Sequence, residues 1–147
     1  RFTLMVMLSA TFSIWRIDMA KQITINQSFY KKMGQLQNQV REKVWTKGEE
    51  VVSYAVAISP VYSGAFVESF SVVPRGSGGG RSRSSEGRPI VADKAGKKQE
   101  EAARLRADVR AIDPLEGDGF TLRNRAPHAN VVEAKHAVFL RTKDRFR

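Results

Sequence analysis

The feature that most constrains the fold is a long amphipathic segment that ends at a proline. Its apolar side chains recur at spacings of three, four and seven, which places most of them on one face of a helix. Asn26 or Ser28 can cap its start, and Pro60 stops it because the residue before a proline is pushed out of the α region. Gly48 is a candidate bend. We expect the apolar stripe to pack in a core; its positions are Phe29, Met33, Leu36, Val40, Val44, Val51, Val52, Tyr54, Ala55 and Ile58.

Shorter elements follow the long helix. After Gly64, residues 66–73 alternate between apolar and polar side chains, which predicts a strand. A narrow apolar stripe predicts a second helix over 93–112, and a second strand is predicted over 120–125. Residues 131–139 are apolar, but the run is too short to distinguish helix from strand. The fold class is therefore α+β, with a long N-terminal helix and a second helix packed on a small, mostly antiparallel sheet.

Composition divides the chain into three parts. We predict an N-terminal arm over 1–25, a single α+β domain over 26–139 and a basic C-terminal tail over 140–147. Within the domain, residues 74–92 begin with a Gly/Ser/Arg tract, which is expected to be a flexible insertion loop because it has little to bury. The tail is expected to fray or to dock on a partner.

The first 18 residues allow three interpretations. Phe2–Trp15 is largely apolar, yet it is shorter than the ~20 residues that a membrane span needs. The segment is an apolar arm that packs on a partner, a stretch that precedes a natural start at Met19, or the apolar region of a signal peptide. The last is disfavoured because no small-x-small cleavage site follows. Whether 1–18 belongs to the mature chain stays open, and no membrane contact is expected.

Charge and cysteine content narrow the class of protein. The chain has no cysteine, which excludes disulfide scaffolds, thiolate metal sites and cysteine nucleophiles. Its net charge is +10 and its pI about 10.3. A basic chain favours nucleic acid, an acidic lipid surface or an acidic protein as partner, although the charge also serves solubility alone.

Catalytic constellations are scarce. His128, Glu133 and His136 form a conceivable metal or hydrolase site, but the two histidines do not have the spacing of a helical metal pair. The sequence contains no GxSxG, no Walker loop and no dinucleotide fingerprint. We therefore expect no enzyme, no catalytic or metal-binding residue and no cofactor.

The most informative segment runs from Ser59 to Val72. It reads as a helix stop, a tight turn that requires Gly64, and the start of a strand. The hydroxyl groups of Ser59 and Ser63 can bond the nearby backbone at the turn. Glu68 and Glu133 are acids on otherwise apolar segments, and each is expected to pair with an arginine or lysine of the same or a neighbouring subunit.

This segment resembles the signature Thr-Pro-Val-x-Thr-Gly-x-Leu-x-x-Ser of tail-completion and minor tail proteins of long-tailed bacteriophages, which also place a long helix before it. A second landmark of these proteins, Asn-x-x-x-Tyr-Ala-x-x-Val-Glu, resembles residues 124–133. The chain departs from the family at Tyr62, which replaces a small polar residue, and in lacking a glycine after the second motif. The matched positions are Ser59, Pro60, Ser63 and Gly64 in the first motif, and Asn124, His128, Ala129 and Glu133 in the second.

The resemblance implies a structural virion protein. Such a protein forms a ring, a hexamer or dodecamer of its own copies, in the head–tail connector (neck) or tail-completion region. It would bind adaptor, stopper or other neck proteins, and the tail terminator or tail tube protein. Phage DNA would pass through its lumen. The implied location is the head–tail joint or tail of the virion, after assembly in the host cytoplasm, and the layer of the joint is left open.

Two basic sets are candidate contact residues. The arginines of the tract are candidates for contact with DNA or with a partner protein. The tail has apolar residues among its charged ones, and it is a candidate for docking on a protein. The tract residues are Arg75, Arg81, Arg83 and Arg88. The tail residues are Phe139, Leu140, Arg141, Lys143, Arg145, Phe146 and Arg147. The same charges support an alternative function, that of a small basic nucleic-acid-binding protein.

Overall fold

The computed structural model describes residues 27–117 and 119–147. The chain divides into two compact units, residues 1–36 and residues 37–147. The described part of the first unit is the first three turns of a helix. All further elements belong to the second unit, which contains an α+β fold with a small antiparallel sheet. The predicted arm over 1–25 lies outside the described residues.

Helix α1 spans Gln27–Ile58 and confirms the predicted long helix. It ends two residues before Pro60. Ser28 already lies within the helix and is therefore not its cap, while Asn26 is outside the described residues.

The apolar stripe of α1 is a core surface only in its C-terminal half. Val52, Ala55 and Val56 are buried, and core packing on this helix begins at Trp45. The expectation for the whole stripe is wrong, because four of its earlier side chains are 44% to 59% exposed. Those four are Phe29, Met33, Leu36 and Val40.

The remaining described elements are short. They are α2 at Ala65–Glu68, β1 at Phe70–Pro74, α3 at Lys94–Arg110, β2 at Phe120–Asn124, α4 at Ala129–His136 and α5 at Val138–Arg145. Strands β1 and β2 pair antiparallel, with Phe70 opposite Asn124 and Val72 opposite Leu122. Asp93 caps α3 by accepting a hydrogen bond from the backbone N–H of Gly96 at 2.8 Å. Both predicted strands and the second helix are therefore present, and residues 131–139 belong to two helices that are separated by Ala137.

The first strand begins later than the sequence predicts. Residues 65–68 form one helical turn, closed by a hydrogen bond from the backbone N–H of Ser69 to the carbonyl of Ala65 at 3.1 Å. Ala65, Phe66 and Val67 are all buried, so inside and outside do not alternate there. Pairing with the second strand starts only at Phe70, opposite Asn124.

The core of the second unit lies between α1, α3 and one face of the sheet. Phe70, Leu105 and Val109 are fully buried at its centre. Phe66 meets Phe70 edge to face, with ring centroids 5.3 Å apart, and Phe139 approaches Phe70 at 5.8 Å. No helix among the described residues is long and apolar enough to cross a membrane.

The C-terminal residues belong to the folded unit. Helix α5 runs across the boundary predicted at 139/140, and Thr142 is buried. Phe146 packs edge to face on Tyr54 of α1, with centroids 5.8 Å apart. The expectation of a separate tail is wrong because these side chains find their contacts within the same unit.

Candidate functional site

The first motif forms the turn that the sequence predicts. Gly64 has φ +83°, the left-handed conformation that favours glycine. The Ser59 hydroxyl donates to the carbonyl of Ala55 at 2.6 Å, and the Ser63 hydroxyl accepts the backbone N–H of Ala65 at 3.4 Å. Both serines are buried. The hydroxyls therefore satisfy backbone groups around Pro60 that burial would otherwise leave without partners.

The second motif lies directly against the first. The side-chain amide of Asn124 donates to the carbonyl of Phe66 at 2.8 Å, and its oxygen accepts the backbone N–H of Ala126 at 3.0 Å. The ring of His128, at the start of α4, lies 6.2 Å from that of Phe66. Ala129 is the first residue of α4. Two segments about sixty residues apart in sequence thus form one structural feature.

A cavity of about 240 Å³ opens between the two motifs. Its lining is mainly apolar and includes Pro60, Tyr62, Phe66, His128, Val131 and Val132. Tyr62 and Val131 are 67% and 57% exposed, so apolar surface continues from the cavity to its rim. Such a surface suits the docking of an apolar side chain better than acid–base chemistry.

Within residues 27–117 and 119–147, no arginine or lysine pairs with Glu133; a cation from a neighbouring subunit stays a prediction. Its carboxylate accepts the backbone N–H groups of Phe139 at 2.9 Å and of Leu140 at 3.2 Å. These are free N–H groups in the first turn of α5, where the helix dipole also favours a negative charge. Glu133 is therefore a helix cap that fixes α4 relative to α5.

Glu68, in contrast, gathers the cations that the sequence predicts. Its carboxylate lies 2.6 Å from the guanidinium of Arg88, 2.9 Å from Nζ of Lys97 and 3.9 Å from Nε of Arg83. The side chain is only 14% exposed. Burial alone would raise the pKa of Glu68, but the hydrogen bonds from Arg88 and Lys97 outweigh it and lower the pKa to about 2. The cluster is charged at neutral pH.

Lys97 links the Glu68 cluster to helix α3. Its ammonium group lies 3.4 Å from the carboxylate of the buried Glu101 and 3.6 Å from that of Glu100. Burial opposes the charge of Lys97, but the bond to Glu68 outweighs this and raises its pKa. The network continues to Arg104, which bonds Glu101 at 2.7 Å and the carbonyl of Phe70 at 3.0 Å.

The Gly/Ser/Arg tract is tied to the sheet. The hydroxyl of Ser71 accepts the backbone N–H of Arg81 at 2.6 Å, and that of Ser69 accepts the N–H of Arg83 at 2.7 Å. Ser69 and Ser71 are buried beneath the tract. The expectation of a free, flexible loop is therefore corrected: the tract covers the sheet because two serine hydroxyls and Glu68 hold it there.

The candidate arginines of the tract separate into two groups. Arg83 and Arg88 turn to Glu68 and are committed to the fold. The side chains of Arg75 and Arg81 have no carboxylate partner within 4 Å in the described ranges 27–117 and 119–147; only their backbones are fixed, that of Arg75 through a bond to Gly119 at 2.9 Å.

The candidate residues of the predicted tail also fall into two groups, those with contacts inside the unit and those that are exposed. Arg145 stacks over the ring of Tyr54 at 5.4 Å, and Phe146 packs beside it. Arg141 bonds the carbonyl of His136 at 3.4 Å, and Arg147 pairs with Asp144 at 3.3 Å. Among the apolar anchors, Phe139 is used internally, whereas Leu140 is 55% exposed. Lys143 is exposed as well.

The histidines do not form a metal site with Glu133. Both oxygens of that carboxylate are occupied by backbone N–H groups. Within residues 27–117 and 119–147, no group of three or more histidines, cysteines or acids is arranged to hold a metal ion.

Comparison of the chain with protein-family models, with curated proteins and with solved structures gives no match. The resemblance to phage tail-completion proteins rests on the two motifs alone.

Three residues of this region escape sequence reasoning: Ser69, Ser71 and Arg104. The sequence predicts Ser69 and Ser71 only as part of the strand over 66–73, and it gives no prediction for Arg104. The sequence gives only an indirect indication of the role of the serines. Ser69 and Ser71 stand next to apolar residues, shortly before a tract whose backbone N–H groups need hydrogen-bond acceptors. Only the fold shows that the two features meet.

Proposed function

We propose that this chain is a structural virion protein of a long-tailed phage, a ring subunit of the head–tail connector or tail-completion region that joins tail to head around the DNA channel. The observation that carries the proposal is the hydrogen bond from Asn124 to the carbonyl of Phe66. It joins the only two segments that resemble the tail-completion signature. Residues that resemble the signature at separate places in the sequence therefore lie together in one packed feature, which supports the proposal.

The surface around the two motifs supports a role in assembly. Tyr62 and Val131, which both line the cavity between the motifs, are large apolar side chains that are 67% and 57% exposed. Clustered exposed apolar side chains are typical of surfaces that bind other proteins. In the proposed ring, this surface would contact a neighbouring copy or a neck or tail protein. Contacts between identical subunits in such a ring are heterologous, because different surfaces of each copy meet. The proposed role is mechanical and requires no covalent reaction.

Deleting the gene in the phage that encodes it tests the proposal. Electron microscopy of the lysate should then show DNA-filled heads and finished tails that are not joined, and the wild-type gene supplied in trans should restore joined particles. Normal infectious particles from the deletion, or absence of the protein from purified virions, would contradict the proposal.

Matched variants test the surface itself. Tyr62→Ser and Val131→Ser should fail to restore joining, while Leu115→Ser, which is also exposed but lies between α3 and β2, should restore it. Thermal unfolding of each purified variant shows whether a failure comes from lost folding or from a lost contact.

A further inference from the structure

The face of the sheet that points away from the core carries a cluster of arginines. Because side chains alternate along a strand, Arg123 lies on the face opposite Leu122, and Arg125 follows on the same side. Arg123 pairs across the sheet with Ser71, whose hydroxyl holds the backbone of Arg81. Cδ of Arg125 lies 3.4 Å from the point where a Cβ on Gly80 would stand. Arg81, Arg123 and Arg125 are called the basic face below.

The backbone of the basic face is fixed in place. The guanidinium of Arg123 donates to the carbonyl of Gly79 at 2.9 Å, and the Ser82 hydroxyl donates to the carbonyl of Arg125 at 2.8 Å. Further along, Arg88 holds the tract to Glu68. A ligand that binds here would order little additional backbone, so little of the binding energy would be lost to entropy.

The charges of the basic face are not compensated. Several other arginines of the unit have a carboxylate within 4 Å, among them Arg41, Arg83, Arg88, Arg104 and Arg110. Within the described ranges 27–117 and 119–147, no such pair involves Arg81, Arg123 or Arg125. The basic face therefore carries three positive charges that no carboxylate of the described residues pairs with.

We propose that the basic face binds the phosphate backbone of duplex DNA without reading its sequence. Guanidinium groups bond phosphate oxygens in bidentate fashion, and contacts to phosphate carry no sequence information. The described contacts that build this face involve arginine, serine and glycine and no aromatic side chain, whereas proteins that bind single strands stack the bases on aromatic rings. Gly76, Gly78 and Gly79 have open space where a side chain would stand, which allows a phosphate to come close. The inference goes beyond the proposed function and does not depend on it.

Fluorescence anisotropy with a labelled mixed-sequence duplex and the full chain tests the proposal. Each phosphate contact contributes about −0.9 to the slope of log affinity against log salt. The double variant Arg81→Gln/Arg125→Gln should therefore make the slope shallower by about 2, with affinity at least roughly 10-fold weaker at low salt. Arg81→Lys/Arg125→Lys should keep most of the slope, because it keeps the charge.

The matched control removes the same charge elsewhere. Lys32→Gln/Lys94→Gln changes two exposed lysines that lie outside the basic face, and it should reduce affinity much less. The proposal is overturned if the control weakens binding as much as the arginine variant does, or if the wild-type chain binds no duplex. It is also overturned if polyglutamate displaces the duplex as well as unlabelled duplex does at equal charge, which would indicate an acidic protein partner, or if a single strand binds more tightly.

Discussion

The ring of Phe120 lies directly against the backbone of Gly48 in helix α1. A Cβ at position 48 would stand 2.9 Å from Cγ1 of Val109 and closer still to the ring of Phe120. Gly48 is itself buried. Its place in the helix interior, where glycine is unfavourable by about 1 kcal/mol relative to alanine, is therefore explained by the close approach of the strand β2 side chain.

Gly48→Ala should lower the free energy of unfolding by about 1–3 kcal/mol, because the added methyl group overpacks the contact with Phe120. Gly34→Ala in the same helix is the matched control. Apart from its chain neighbours and the backbone of its own helix, no described atom lies within 4 Å of its added Cβ, and the better helix propensity of alanine should leave stability unchanged or raise it by up to ~1 kcal/mol. Urea unfolding followed by circular dichroism measures both; equal effects of the two substitutions would refute the packing role.

Gly64→Ala should lower stability by ~1 kcal/mol or more because of its positive φ. Its Cβ would also stand 3.2 Å from Oε2 of Glu68 and 3.2 Å from Cε of Lys97. Gly76→Ala, at φ +84° with open space around it, has the same backbone strain without these contacts. In thermal unfolding the Gly64 variant should therefore lose more than the Gly76 variant. A larger loss at Gly76 would show that the Glu68 cluster tolerates the methyl group.

Glu68→Gln should remove most of the pH-dependent contribution that the charge of Glu68 makes to the free energy of unfolding. The pKa of Glu68 falls from 4.5 to about 2 on folding, so its contribution is fully present above pH 4.5 and is lost as the pH falls towards 2. A fall of that size corresponds to about 3 kcal/mol at neutral pH. The difference between wild type and Glu68→Gln in urea unfolding should be largest near pH 7 and should shrink across this window. A difference that is independent of pH would mean that Glu68 acts through packing and not through its charge.

The sequence predicts which helices and strands are present better than it predicts where each of them begins and ends. The 3.6-residue pattern and Pro60 give the bounds of the long helix to within a residue or two of Gln27–Ile58. The strand predicted from residue 66 fails because Phe66 and Val67 are buried on all sides, and alternation is then no guide. The apolar residues from Phe29 to Val40 recur at the same spacing as those of the core half of helix α1. Periodicity alone therefore does not show which half of the helix is buried.

The candidate site is predictable where one residue and its neighbours in sequence decide the structure. The positive φ of Gly64 and the cations around Glu68 follow from the residue types. The role of Glu133 does not, because a carboxylate satisfies its charge equally by a cation or by free N–H groups at a helix start, and the sequence leaves the state of residues 131–139 open. The anchoring of the tract depends on Ser69 and Ser71, whose partners are set by tertiary structure.

Phe146→Ala tests whether the C-terminal residues dock on their own unit. The ring of Phe146 packs on Tyr54 and lies under Nζ of Lys47 at 5.4 Å, so its removal should lower the free energy of unfolding by about 1–2 kcal/mol. Leu140→Ala, on the same helix but 55% exposed, is the control and should change stability by less than ~0.5 kcal/mol. If urea unfolding shows no loss for Phe146→Ala, the ring is not held by Tyr54 in solution, and the end of the chain is available to a partner protein as the sequence predicts. If Phe146→Ala lowers the free energy of unfolding and Leu140→Ala does not, Leu140 remains the exposed apolar side chain of α5 that a partner protein can contact.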